Sequence, residues 1–450
     1  MAGPNVASQF SSDIEQYIAD KTLPLARRQL VAYQFGDPLS LPKGRGTTYT
    51  ATRYNRIPLP FAALSEGVPP IGETMTIAQV SATAQQWGDK VTITDVAELT
   101  IKHPLVVKAQ EMIGLQIGET LDRNTFNNLL AGTQVNYVNT RGSRASLVAG
   151  DVLNPHEINR AQGALKTLGA PRYMGDEQTD TKIAAEAGGA RASANPRQMP
   201  HYVSVMHTLV TQDMRENSTI ATAWSYSDIN RLYNAEVGEW GGVRFCDSNM
   251  VPSFTGYAAA GGTAGAQGTL ADGTYYIIVT GSDTQNQYES YVAQVSSGVA
   301  LANGSSIGSI NVTTPATAGF TYNVYVGLTT SPATLGLSTS GPVLGPLAGQ
   351  AVQLPASTNV VITGIGLAQT PPASPAVGVT VYPTFIFGRG AYGQVSLDDV
   401  KITALLGADK SDPLNQLRVI GWKVFYGTLI SNQQFFMRIE STSAFSATFG

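Results

Sequence analysis

KHPLVVKAQEMIGLQIGETLDRNTFNNLLAG, residues 102–132, decides the architecture. Pro104 suits the first turn of a helix, and no proline or long β-branched run follows it. Apolar residues recur at Leu105, Ala109, Met112, Ile113, Ile117, Leu121, Leu129 and Leu130. Those spacings of three and four keep one stripe on one face. They predict a single helix from Pro104 to Ala131, about 42 Å long at about 1.5 Å per residue. Gly132 is expected to close it in a left-handed cap. Such a length suits a strut better than an enzyme. The other face carries Lys108, Glu111, Glu119, Asp122, Arg123, Asn127 and Asn128, and reads as solvated.

Working outward, the chain before the helix changes period. From Arg45 to Glu98 the pattern alternates, rich in Thr, Val, Ile and Tyr, with Pro58, Pro60, Pro69 and Pro70 between the two halves. This predicts one long hairpin. Two strands alone are marginal in water, so the hairpin must rest on its own chain or on a neighbour. Residues 1–44 read as an arm, with a short helix at Asp13–Ala19. Its segment LARRQLVAYQF cannot form a core of its own and is expected to lie on a partner surface.

After the strut, Asp151–Gly169 predicts a second helix, with Asn154 as N-cap and Pro155 in the first turn. Thr179–Arg197 reads as a loop and HYVSVMHTLV, residues 201–210, as a strand. AWSYSDINRLYNAEVGEW suggests a helix through Arg231 and Tyr233, and GGVRFCDSNMVPSF a strand. At Thr255 the composition shifts. From Thr255 to Pro375 the only charged residues are Asp272, Asp283 and Glu289, and short strands recur at sandwich-like spacing. This is read as an inserted β-sandwich of domain size, residues 255–375. VYPTFIFGRGAYGQVSL, GWKVFYGTLI and FFMRI then supply closing strands.

The 450 residues carry a net charge of −4, which gives no global field for nucleic acid or an anionic membrane. Charged residues make up 13%, about half the usual quarter, beside 46 Gly, the composition of a β-rich, loop-rich chain. The single Cys246 excludes an intramolecular disulfide framework. Met1–Ser12 lacks the apolar run of a secretory signal, and no membrane-spanning segment is expected.

No catalytic set emerges. His201 and His207 share a strand without a third ligand nearby, where zinc needs three or four. GRGAYG, residues 388–393, lacks the Lys-Ser/Thr of a phosphate loop and reads as a turn. Cys246 has no His partner and reads as a buried apolar residue. Asp398, Asp409 and Asp412 read as loop or capping carboxylates. Asp283–Glu289 reads as a turn ahead of a weak Ca²⁺ site. No cofactor or metal is expected.

The order of parts resembles the major capsid protein of tailed double-stranded-DNA phages, with the Hong Kong 97 fold, closest to its N-four-like branch. The likeness is carried by RYNRIPLP (53–60), TLDRNTFNNLLAGT (120–133), GRGAYGQVSL (388–397) and DKSDPLNQLRVIGWKVFYG (409–427), in that order. It implies an α+β fold with N-arm 1–44, extended loop 45–98 and a shell core of 99–254 and 376–450. Within that core lie the spine helix at about 102–132 and the peripheral and axial domains. GTYYIIVTG and TYNVYVG carry a weaker likeness of residues 255–375 to immunoglobulin-like domains.

The resemblance implies self-assembly as pentamers and hexamers into an icosahedral head, built in the bacterial host cytoplasm, without enzymatic activity. Arg27, Arg28, Arg53, Ile57 and Trp87 are the expected inter-subunit contacts. Packaged double-stranded DNA, held without sequence preference, is an expected partner, together with scaffold, portal and cement proteins. The inserted domain is expected outside the shell, facing solvent or surface glycans, and no membrane contact is expected. A rival reading is a β-rich adhesin or binding protein, against which the missing signal sequence counts.

Overall fold

The computed structural model describes residues 30–44, 46–54, 57, 72–102, 105–173, 200–221, 233–283, 289–302, 308–317, 320–337, 354–363, 370–405 and 416–446. The expectations for Asp13–Ala19, Thr179–Arg197 and Arg231 fall outside these. The chain forms two compact units: Met1–Gly132 with Gly388–Phe436, and Thr133–Phe387 with Met437–Gly450.

In unit one the strut helix spans Leu105–Leu129, about 38 Å. Ala109, Ile113, Ile117 and Leu121 are buried against Ile420, Trp422, Val424 and Tyr426. The period of four on the helix thus meets the period of two on the strand Leu417–Leu429. That strand belongs to a sheet of four described strands in the order Asp37–Ser40, Gly393–Leu405, Leu417–Leu429, Gln85–Thr94. The first pair is parallel and the other two are antiparallel.

Three expectations need correction here. Met112, placed on the apolar stripe, is exposed, and Asp122, placed on the solvated face, is fully buried. Gly132 does not adopt the left-handed conformation. It is needed for space: a Cβ there would overlap the Phe436 ring.

The hairpin pairs Thr48–Tyr54 with Ile77–Thr83, from Thr48 opposite Thr83 to Tyr54 opposite Ile77. It is shorter than the sequence suggests. At the buried Ala84 the returning strand leaves its partner, and Gln85–Thr94 joins the sheet beside Leu417–Leu429. The reason is burial: Trp87, Val91 and Ile93 alternate toward the strut helix, a surface that a free ribbon lacks. The Thr94 hydroxyl then accepts the Ala97 N–H at 3.3 Å and caps a short helix, Asp95–Thr100.

Unit two is built on a large mixed sheet. Its central run is Glu289–Ala293, Phe254–Tyr257, Thr380–Phe387, Tyr202–Met206 and Val243–Asp247. The expected strand 201–210 stops at Met206. His207 Nδ1 accepts the Leu209 N–H at 3.2 Å and opens a helix, Thr208–Glu216. The helix expected over Asp151–Gly169 is present as Pro155–Thr167, with Asn154 accepting the Glu157 N–H at 3.1 Å.

Within 255–375, strands Gly262–Leu270, Gly308–Thr313 and Asn359–Ile362 form a second sheet. Ile310, Val312, Val360 and Ile362 of that sheet share one apolar cluster with Ile277, Val279, Tyr322 and Val324 of the large one. The two ends of the segment meet: Thr255 lies opposite Thr380, with their hydroxyls 3.0 Å apart. The large sheet runs on without a break from Thr380–Phe387 through Phe254–Tyr257 into Glu289–Ala293.

Candidate functional site

Among the described residues singled out from the sequence, His201, His207, Cys246, Glu289 and Asp398 each have structural partners or are buried. No group of three or more His, Cys, Asp or Glu among the described residues is placed to hold a metal. His201 is buried, with Nε2 2.9 Å from the Tyr233 hydroxyl and its ring stacked on Tyr173. Burial pushes the Tyr233 phenol up to about 12. His207 is held by its capping bond and by the Tyr382 ring, centroids 4.7 Å apart. Burial pushes its imidazole down to about 4, so it is neutral at pH 7. Cys246 is buried, and burial followed by Glu236 and Asp247 raises its thiol, the reverse of a nucleophile's environment.

The carboxylates tell the same story. Glu289 accepts from Asn323 Nδ2 and the Tyr325 hydroxyl, each at 2.7 Å. Asp398 pairs with Lys43 at 3.3 Å and with Lys401 at 2.5 Å. Glu236 holds Arg244 at 2.7 Å inside unit two. In GRGAYG, Gly390 has φ +76° and the Gly388 N–H donates to Phe435 O at 2.9 Å, the geometry of a turn. Asp409 and Asp412 lie outside the described residues.

What remains is surface. Beside the separate Val107, Met112 and Leu405, the exposed apolar side chains described in unit one form two groups. One is the hairpin, with Ile57, Met75 and Ile77; Ile77 is 55% exposed. The other surrounds the short helix, with Val96, Leu99 and Ile101, Leu99 at 85% exposed. Strand register brings Leu417 opposite Thr94, the cap of that helix, so Leu417 adds to the second patch. Single exposed apolar residues are ordinary, but contiguous ones mark contacts.

Of the five expected contact residues, Ile57 is exposed. Arg53 Nη1 donates to Asn432 Oδ1 in its own unit. Trp87 is half-buried against the cluster under the strut helix. Arg27 and Arg28 lie outside the described residues. The patch at Val96 and Leu99 was missed, although the i, i+3 spacing in DVAELTI carries it.

No membrane-length apolar helix occurs among the described residues. No family model matches the sequence, and no curated protein matches it. Solved structures do. A chain from the capsid of Ralstonia phage GP4 is 9% identical, with 90% of this chain and 87% of that one covered and a TM-score of 0.47. The head structure of Helicobacter pylori bacteriophage KHP40 gives 7% identity, 90% and 86% coverage and a TM-score of 0.46. The capsid of Cyanophage P-SCSP1u gives 10%, 90% and 86%, and 0.42. Over about nine-tenths of its length, this chain is similar to chains of phage capsids.

Proposed function

We propose that this chain is the major capsid protein of a tailed double-stranded-DNA phage, a shell subunit without a catalytic role. One observation carries the reading. The hairpin is anchored at its base, where Tyr49, Ala51, Val80 and Ala82 pack on Leu41, Val395 and Leu429, yet Met75 and Ile77 point to solvent. A ribbon of this kind gains stability only when another surface covers it. A neighbouring copy is the simplest cover. Contact between unlike patches of identical chains is heterologous and closes into rings when the rotation allows, as hexamers and pentamers require.

In this reading the strut helix and its sheet, with the end of the arm at Val31–Ser40 packed on them, form the rigid body of the subunit, and the hairpin lies on neighbours. The interior holds DNA through scattered Lys and Arg, without sequence preference. The near-balance of the chain outside 255–375, 28 basic against 29 acidic residues, keeps each subunit's hold weak. Residues 255–375 contain no Lys, Arg or His and suit the outer surface. The test is light scattering with negative-stain microscopy of the full-length protein, alone and with its scaffold. Capsomers or closed shells are expected. A monodisperse monomer under every assembly condition overturns the proposal.

A further inference from the structure

Asp122 lies on the strut helix, fully buried although the sequence pattern puts it on the solvated side. Its Oδ1 accepts two backbone N–H groups, Val31 at 3.1 Å and Tyr33 at 2.9 Å. These belong to the turn that leads into the arm strand Asp37–Ser40, some ninety residues away in sequence. Oδ2 is equally buried and has no hydrogen-bond partner among the described residues.

Two neutral side chains also hold the turn. The Tyr392 hydroxyl donates to Ala32 O at 2.5 Å, and Gln394 Nε2 donates to Tyr33 O. The ionisable side chains around the site are Tyr33 on the turn and Tyr426 on the facing strand, whose rings lie 5.7 Å apart. Burial raises both phenols, so both stay neutral at pH 7. Asp399 acts on Tyr33, and Arg123 is the next residue on the helix. Burial pushes the Asp122 carboxyl up to about 7, partly offset by the N–H groups of Tyr33, Val31 and Ala32; no neighbouring charge is among the causes.

We propose that Asp122 is a latch: it pins the chain at Val31–Tyr33 to the strut helix, and proton uptake by its carboxyl group tightens the hold. The neutral acid keeps Oδ1 as acceptor for both N–H groups and removes an uncompensated charge from the interior. The ionised form keeps the bonds but carries the desolvation penalty. Because the closed latch holds its proton more tightly than the open chain, closure is favoured most in acid. That advantage fades as pH rises from about 4 to about 7 and is constant above, where both states are ionised. At neutral pH the root of the arm is therefore near its loosest. The latch is independent of the shell reading, since it rests on hydrogen bonds inside one unit.

Native-state amide exchange of the full-length protein tests it. The readout is the segment spanning residues 30–36, corrected for intrinsic exchange rates. Wild-type protection of Val31 and Tyr33 is expected to rise steeply, by up to about tenfold per pH unit, as pH falls from about 7 toward about 4, and to stay level above and below that window. Asp122→Asn keeps the accepting oxygen without the charge, so its protection should be high and level with pH. Asp122→Ala should lose protection throughout. Wild-type protection that is level through the window overturns the latch. So does Asp122→Asn exchanging as fast as Asp122→Ala. A change of equal size in the strand Leu417–Leu429 overturns it too, because the response would then be global.

Discussion

Arg144 and Glu440 meet as a fork, Nε to Oε2 at 2.7 Å and Nη2 to Oε1 at 2.5 Å, with both side chains buried. The same guanidinium donates through Nη1 to Ala373 O at 3.0 Å and lies 4.1 Å from the centre of the Phe254 ring. Phe254 stands just before the segment 255–375, and Ala373 lies two residues inside its other end. One cation therefore fastens both ends of that segment to the closing strand Phe436–Ser441, whose Arg438 Nε also stands 3.1 Å from Glu440 Oε1.

Removing Arg144 should be costly, because the fully buried Glu440 loses its two-point fork and keeps only the contact to Arg438. Arg144→Met is expected to destabilise unit two by about 3–5 kcal/mol. Arg144→Met with Glu440→Met should recover only part of that, since Arg438 then loses Glu440 as its nearby countercharge. Urea unfolding of the single and double variants measures both. A single variant within about 0.5 kcal/mol of wild type would show that the fork holds nothing together.

Gly132 and Phe436 give a second test. Gly132→Ala should cost about 1–3 kcal/mol by overpacking, since the added methyl group meets the aromatic ring. Gly132→Ala with Phe436→Leu should be less destabilised than the two single effects added. If Gly132→Ala is stabilising instead, as for an ordinary helix-end glycine, the packing account fails.

These sites mark where sequence reading stops. The strut helix was legible because Ala109, Ile113, Ile117 and Leu121 repeat at one local spacing, and their burial confirms the stripe. Gly132 was also legible as a helix end, but not the reason for it, since Phe436 lies far along the chain. Asp122 was misread for the same cause: its partners, Val31 and Tyr33, are about ninety residues away. The break at Ala84 carried no turn residue, because the strand changes partners without changing direction. Leu99 falls just past Glu98, the expected end of the hairpin, and before the strut helix, so neither pattern reaches it.

His207 predicts a pH response. Its imidazole is held near 4, below the ordinary value of about 6.5, by burial. A depressed histidine contributes stability that is complete above about 6.5 and is lost as pH falls toward 4. Protonation would also remove the Nδ1 acceptor for Leu209 N–H. Asn caps helices well and does not titrate. His207→Asn should therefore match wild type near pH 7 and lose less stability between pH 6 and pH 4.5, read by thermal unfolding. Parallel pH curves for the two proteins would show that His207 takes no part.

The hairpin separates folding from assembly. Ile77 is exposed within unit one, so Ile77→Ser should leave the unfolding midpoint of the isolated subunit unchanged within about 0.5 kcal/mol. The shell yield should fall if, as proposed, the contact it serves lies in another copy. Replacing residues 53–64 with a short Gly/Ser turn should abolish assembly while the strut helix and its sheet stay folded. Circular dichroism and electron microscopy of the same sample decide this. Normal particles from the second variant would remove the hairpin from the assembly contact.

The segment 255–375 gives the last prediction. Gly256 forms a bridge with Val377, and the Gly378 N–H donates to Gly256 O at 2.9 Å, so the two ends touch through their backbones. A short Gly/Ser linker can therefore join Thr255 to Pro375 after deletion of 256–374 without moving either flank. The cost is local. Of the strand Phe254–Tyr257 only Phe254 and Thr255 remain, and they lose their parallel neighbour Glu289–Ala293 and become a sheet edge. Thr255 still faces Thr380 across the remaining pair. The removed piece takes with it a cluster drawn wholly from its own residues, from Leu270 to Ile362, so the fragment 255–375 should fold when expressed alone. The deleted chain should still close into shells, lacking density on the outside. Loss of density from the inside, where phosphate charge would favour Lys and Arg, would reverse the placement. A fragment that shows no cooperative unfolding would mean that the sheet running from Glu289–Ala293 through Phe254–Tyr257 to Thr380–Phe387 is one folding unit, with the segment dependent on its host.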